Sequence, residues 1–287
     1  MVRILGILVG LGFVASLMWC FGWGAAAYIS EPPEKTVESV FHKEPKEVSF
    51  ASDGPFGRFD RQQLQRGFQV YKEVCSACHS LHLVAFRDLK DLGYNDAEVK
   101  AIAKQWQIEV PDINPDTGEP ATRKAIPADH FPSPYANEVA ARAANNNALP
   151  PDLSLITKAR EGGPAYVYSL LTGFQDPPAE LPKENRPTPT LHYNPYFANL
   201  NIAMPPPLAA DGQVTYADGT KSTVNQMAKD VAAFLVWTAE PKLENRHRAG
   251  IATVIFLLIG TMLAYLAYRN IWADMKGAAV REEGITG

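Results

Sequence analysis

The chain has 287 residues, enough for one or two domains with accessory segments, and 46% of them are hydrophobic, which suits a globular core plus some membrane segment. A net charge of −4 offers no basic surface for nucleic acid, so that class of partner is excluded. Three cysteines, two of them in one short motif, leave no pair for a structural disulfide, and 23 prolines point to long irregular connections.

Residues 1–29 form an apolar segment that opens with Arg3 and runs from Ile4 to Ala27 with one serine. Two readings are open. Ala25-Ala26-Ala27 resembles a signal-cleavage site, but the run exceeds the roughly 7–15 residues of a signal core and carries bulky Trp19, Phe21 and Trp23 near the cut. About 20 apolar residues suffice for a retained anchor. Arg3 on the cytoplasmic side sends the following chain outward in either case. Cys20 follows Met18 and Trp19, too large for a lipoprotein site, and reads as a small buried hydrophobe. Residues 30–57, with Glu31-Pro32-Pro33 and Asp53-Gly54-Pro55, read as an extended, exposed linker.

The compact part is expected over 58–245. Asp60 with Gln63 three residues later looks like a variant capping box. Leu64, Phe68 and Tyr71 then recur at helical spacing, and Cys75 and Cys78 continue the same face. Cys75-Ser76-Ala77-Cys78-His79 is the Cys-x-x-Cys-His signature of c-type haem attachment. Each thiol can form a thioether to a vinyl carbon, and the adjacent imidazole reaches the iron as proximal ligand. A zinc site wants two further Cys or His at a second short spacing, and Cys20 is the only other cysteine. A thioredoxin-like pair wants a parallel-sheet pattern, and none is present. Covalent haem places the domain on the periplasmic or intermembrane side.

A helix is expected over Asn95–Ile108. Pro111 to Pro151 reads as a long ordered excursion, helical only at Asn137–Ala144, with a lone loop histidine at 130. Asp152-Leu153-Ser154 looks like a helix start, Gly162-Gly163 the stop, and Tyr166–Thr172 a further short helix. Arg160 is either a surface charge or a guanidinium fork for a haem propionate, and Tyr166 could donate to the same group. In the proline-braced segment Met204-Pro205-Pro206-Pro207, Met204 is the candidate sixth ligand. The other methionines are terminal, in apolar segments, or, like Met227, on the core face of a helix. His42, His82, His192 and His247 compete for that position. Asp218-Gly219 suggests a small hairpin. Val224, Met227, Ala228, Val231, Phe234 and Leu235 then mark an amphipathic helix stopped by Pro241. The fold class is therefore mainly α: a c-type cytochrome fold with long irregular loops, an N-terminal apolar helix that is signal or anchor, and a transmembrane helix over 246–270. Ala249–Tyr268 carries no charge, Tyr265, Tyr268 and Trp272 suit the membrane interface, and the tail 271–287 should be cytoplasmic.

The chain resembles the cytochrome c1 family. The likeness covers roughly residues 50–275 and rests on Asp53–Gly57, Gln65–Tyr71, Cys75–His79, Pro150–Ser154, Tyr166–Gly173, Ala203–Pro206 and Ala239–Pro241, followed by the single tail anchor. It implies haem c on Cys75 and Cys78, axial His79 and Met204, and Arg160, Tyr166, Pro150 and Pro151 around the haem and its propionates. It also implies outer-sphere transfer of single electrons from a Rieske iron–sulfur protein to a cytochrome c, with no catalytic site in the chain itself. The tail helix would sit beside cytochrome b in the bilayer, in a dimer of the whole ubiquinol–cytochrome c reductase. Some bacterial relatives brace the methionine loop with a disulfide whose cysteines are missing here. The competing expectations are a haem subunit of another membrane-bound dehydrogenase and a haem peroxidase.

Overall fold

The computed structural model describes residues 2–32 and 34–283, so Pro33 of the linker and the end of the expected tail 271–287 lie outside it. Two crossing helices form the centre of the compact part. α3 (Arg61–Val70) starts at Asp60, whose carboxylate accepts the Gln62 and Gln63 backbone N–H groups. Half of the expected capping box forms. The Gln63 side chain turns away from the cap and donates to Asp230 at 3.0 Å. α8 (Val224–Ala239) is capped by Thr223 and by Asp211, which accepts the Val224 N–H at 2.8 Å, and it ends before Pro241. The two helices meet at Gly67, where a Cβ would strike the Asp230 carbonyl oxygen and come within 2.6 Å of Phe234 Cβ. Only glycine permits that approach. Around the crossing, Leu64, Phe68 and Tyr71 pack with Met227, Val231 and Phe234. Phe86, Trp106 and Phe131 close the core with ring centroids 4.3 to 5.5 Å apart.

The crossing also buries a charged network. Asp230 is fully buried; its Oδ2 accepts Arg66 Nε at 2.9 Å, and its Oδ1 accepts Gln63 and Gln226 amides at 3.0 and 2.8 Å. Arg66 reaches Asp218 with Nη1 at 2.8 Å. Burial opposes its charge, but hydrogen bonds to the two carboxylates outweigh it and hold the guanidinium more firmly protonated.

The remaining elements hang on this centre. A 3-10 turn, Phe86–Leu92, leads to α4 (Asp96–Gln105), which has a full Asn95/Glu98 capping box. The helix expected over 95–108 stops at 105 because Trp106 turns extended and enters the core. The 111–151 excursion contains an antiparallel hairpin, β1 (Val110–Ile113) with β2 (Pro120–Arg123), and α5 (Glu138–Ala144) capped by Asn137. Arg123 fastens this hairpin to Asp112 at 3.0 Å and to Asp129 at 2.6 and 2.9 Å. α6 covers only Ile156–Ala159, and α7 runs Gly163–Leu171. β3 (His192–Tyr193) pairs with β4 (Asn201–Ile202). Asp218-Gly219 makes its turn, with Gly219 at φ +75°, but no strand pairs there among the described residues.

The linker is not free. It contains α2 (Val37–Phe41), and its next stretch lies on α7. Lys46 donates to the Thr172 hydroxyl and carbonyl at 2.7 and 3.1 Å and stands over the Tyr168 and Tyr196 rings. Its backbone N–H meets Ser169 Oγ at 2.7 Å. An ammonium with these partners orders a segment that charge and proline alone mark as loose. At the ends, α1 (Val2–Ser30) and α9 (Leu243–Glu283) each include a stretch long and apolar enough to cross a membrane. Cys20, expected to be buried, is exposed, and α1 buries none of its residues.

Candidate functional site

α3 passes directly into one π-turn, Tyr71–Cys75, closed by Ser76 N–H donating to the Tyr71 carbonyl at 2.8 Å. The turn adds a residue to the helical repeat, so the apolar stripe of α3 does not simply run on to the cysteines. Cys75 is half-buried and Cys78 exposed, and neither is bonded to another cysteine. Burial first, then the neighbouring Cys78, pushes the Cys75 thiol up to about 12. Tyr135 stands beside Cys78, and its hydroxyl accepts from Asn145 at 2.9 Å.

His79 is tethered twice. Its carbonyl accepts the Tyr71 hydroxyl at 2.9 Å, and its ring Nδ1 lies 2.8 Å from the Pro151 carbonyl. A carbonyl can only accept, so Nδ1 carries the hydrogen and Nε2 keeps its lone pair. Burial lowers the imidazole pKa, with the Pro151 hydrogen bond and Asp152 opposing it, so the ring is neutral near pH 7. The Pro151 carbonyl is itself held in place. Asp152 accepts Ser80 Oγ at 2.9 Å and the His82 N–H at 2.8 Å on one oxygen, and the Ser154 N–H at 2.9 Å on the other. Leu153 N–H reaches the Ser80 carbonyl at 2.9 Å, and Leu83 N–H reaches Ser154 Oγ at 3.1 Å. Burial works against the Asp152 charge, but these donors hold its carboxyl below the usual carboxylate range. The expected helix start at Asp152 is therefore a clamp on residues 79–83.

Of the other candidates, Arg160 is exposed after α6, and its charge acts on the half-buried Tyr166 of α7. Pro150 and Pro151 open the clamp loop. Met204 is half-buried on a separate loop, just after β4. Gln213 braces that loop, donating to the Pro207 carbonyl at 2.8 Å and accepting the Ala209 N–H at 2.9 Å, and Leu208 is buried in the main core. Asn194, fully buried, donates to the Leu170 carbonyl at 2.8 Å and ties the same excursion to α7. Sequence reasoning missed Tyr71's hydroxyl, Asp152, Gln213 and Asn194 as supports. His130 and His247 bond backbone carbonyls of His82 and Gly57, and His192 lies in β3. Asp211 and Asp218 act within the fold, as a helix cap and an arginine partner.

Two free thiols beside a neutral imidazole with Nε2 available are the donor set that a c-type haem requires. A structural zinc site is not served, because no cluster of three or more His, Cys, Asp or Glu converges among the described residues. A helical domain that carries this set just past α3, and that leads into a helix long and apolar enough to cross a membrane, has the build of an anchored c-type cytochrome.

Comparison with known proteins agrees. The model of the cytochrome C1 family matches residues 50–275. Cytochrome c1 of Rhodospirillum rubrum is 46% identical over 236 residues, 78% of this chain and 85% of that protein. "Cytochrome c1 1, heme protein, mitochondrial" of Arabidopsis thaliana is 47% identical over 257 residues, 89% of this chain and 81% of the relative. Cytochrome b/c1 of Bradyrhizobium diazoefficiens is 47% identical over 247 residues, 79% of this chain; the match spans only 35% of that longer protein. The chain belongs to the cytochrome c1 family.

Proposed function

We propose that the chain is the haem c subunit of ubiquinol–cytochrome c reductase. It carries one haem c on Cys75 and Cys78, with His79 Nε2 and the Met204 thioether as axial ligands. The domain 58–245 stands on the periplasmic side of a bacterial inner membrane, and the helix over 246–270 holds it there. The observation that supports this most is the His79 ring, held through Nδ1 by Pro151 with Nε2 free. The relatives' printed names, cytochrome c1 and cytochrome b/c1, support the assembly.

Bound haem c supplies a one-electron ferric/ferrous couple. The chain's own residues set its surroundings. The Pro151 carbonyl fixes the imidazole tautomer and plane. Met204 offers a soft sulfur, which favours the reduced state. Arg160 and Tyr166 offer a fork and a hydroxyl to the propionates. Were His79 and Met204 both to hold the iron, no substrate position would be left, which would suit electron relay from a Rieske iron–sulfur protein to a soluble or tethered cytochrome c, beside cytochrome b in a dimer of the whole complex.

An acid-denatured sample should retain haem, with the intact mass of the chain raised by one haem. The reduced spectrum should not respond to carbon monoxide. Met204→Leu should shift the midpoint potential and remove the weak near-infrared band. Unchanged values in that variant refute the axial assignment, and a carbon monoxide response in the parent would favour an open-site haem enzyme.

A further inference from the structure

The foot of α9 is rigidly joined to the compact domain. Leu243 is buried in it, Glu244 accepts the Phe59 N–H at 3.0 Å and stands 3.7 Å from Arg61, and His247 Nδ1 lies 3.1 Å from the Gly57 carbonyl. The loop so held, 50–58, is itself tight. Asp53 accepts the Phe50 N–H at 2.7 Å, Arg58 N–H reaches the Ala51 carbonyl at 2.8 Å, and a Cβ on Gly57 would strike the Ser52 carbonyl. From this stiff loop Phe56 projects with 77% of its surface exposed, next to exposed Pro55. Gly57 is fastened at His247, two residues before the uncharged run begins at Ala249. At about 1.5 Å per residue, that is about 3 Å from the hydrocarbon edge. The headgroup layer is about 5–7 Å deep on each side. Arg58 and Arg248 flank the loop, exposed and without an ion-pair partner among the described residues.

We infer that loop 54–58 is a membrane-interface contact: Phe56 inserts at the boundary between headgroups and acyl chains, and Arg58 and Arg248 meet lipid phosphates. An aromatic ring at that depth, flanked by cations, suits a lipid surface. The contact sets the height and tilt of the domain above the bilayer, which a single helix leaves open. The inference rests on α9 crossing the membrane, as in the proposed function.

The test uses the haem-loaded full chain with Cys20→Ser, in which Cys75 and Cys78 are closed to the label, reconstituted in vesicles of phosphatidylethanolamine and phosphatidylglycerol, with a spin label at Phe56→Cys. Val139→Cys is the aqueous control, since Val139 of α5 is also 77% exposed, and Leu258→Cys is the mid-span control. Collision of the label at 56 with an aqueous nickel complex should fall about fivefold or more below that at 139, with oxygen collision raised, as for interfacial side chains. A label at 56 as accessible as that at 139, while 258 lies in lipid, overturns the inference and leaves the spanning helix intact. A label at 258 in water overturns both. Shielding at 56 that appears only in the assembled multi-subunit complex identifies a neighbouring protein as the occupant and also overturns it.

Discussion

Asp230→Asn tests whether the buried network holds the helix crossing together. Asparagine keeps the shape, and its oxygen can still accept the Gln63 and Gln226 amides that now meet Oδ1. At the Oδ2 position it presents an NH2 group to Arg66 Nε, so a donor faces a donor where a charge-assisted bond of 2.9 Å stood. Breaking one partner of a buried pair costs about 3–5 kcal/mol. Arg66 keeps Asp218 at 2.8 Å and is not stranded, so the low end applies, about 3 kcal/mol. For a domain of roughly 150–250 residues, that lowers Tm by about 6–12 °C. Thermal unfolding of the detergent-solubilised chain by circular dichroism reads the effect. A drop of under about 2 °C would refute the reasoning, because it would mean that the network adds nothing to stability. The double variant Arg66→Met with Asp230→Leu should not recover the loss, because leucine takes away the oxygen to which the Gln63 and Gln226 amides donate.

Gly67→Ala should destabilise by about 1–3 kcal/mol despite alanine's better helix propensity, because its Cβ meets backbone of α8; calorimetry of the solubilised chain checks it. Asp152→Asn leaves donors among Ser80, His82 and Ser154 short of an acceptor and should cost about 1–3 kcal/mol at neutral pH. Its pH dependence has a fixed sign. The native pKa is depressed, so the stability it gives is complete above the unfolded value of about 3.9 and is lost as pH falls through the native one. The gap between parent and variant in denaturant titrations should therefore begin to close only below about pH 4. Gln213→Ala removes both bonds across the methionine loop, worth about 1–3 kcal/mol locally, and should make the near-infrared band fade at lower temperature while the global Tm moves less.

What could be read from sequence was local. Asp60, Asn137 and Thr223 announce their helices because a capping side chain acts within three residues of itself. Pro241 stops α8. What could not be read depends on backbone acceptors far along the chain. Any residue type has a carbonyl, so nothing in Pro151 marks it as the partner of a ring 72 positions away. The β1–β2 hairpin was hidden for another reason. Pro111 and Pro120 argue against strands, yet a two-stranded ribbon consists of edges only, where proline's missing donor is tolerated. Gln63 looked like half of a capping box, and only the approach of α8 shows its amide a better partner in Asp230. The π-turn has no residue signature either, so the exposed position of Cys78 could not be foreseen from the helical stripe.

An electron relay differs from an enzyme in what its protein must hold still. It has no substrate to grip; its ligands must keep one geometry through a change of one charge. The hydrogen bonds around His79 suit that demand better than they suit global stability. Each adds only about 0.5–1.5 kcal/mol, and an apolar contact could do as much. Their directions matter more. Pro151, Asp152, Leu153 and Ser154 on one side meet His79, Ser80, His82 and Leu83 on the other through five hydrogen bonds, and Tyr71 adds a sixth from the helix end. Two bodies that are distant in sequence, the α3–α8 crossing and the 150–154 loop, thus fix one imidazole by its backbone and by its ring. A histidine held at its backbone by Tyr71 and at Nδ1 by Pro151 has one orientation of Nε2 to offer, and neither body alone would give it that.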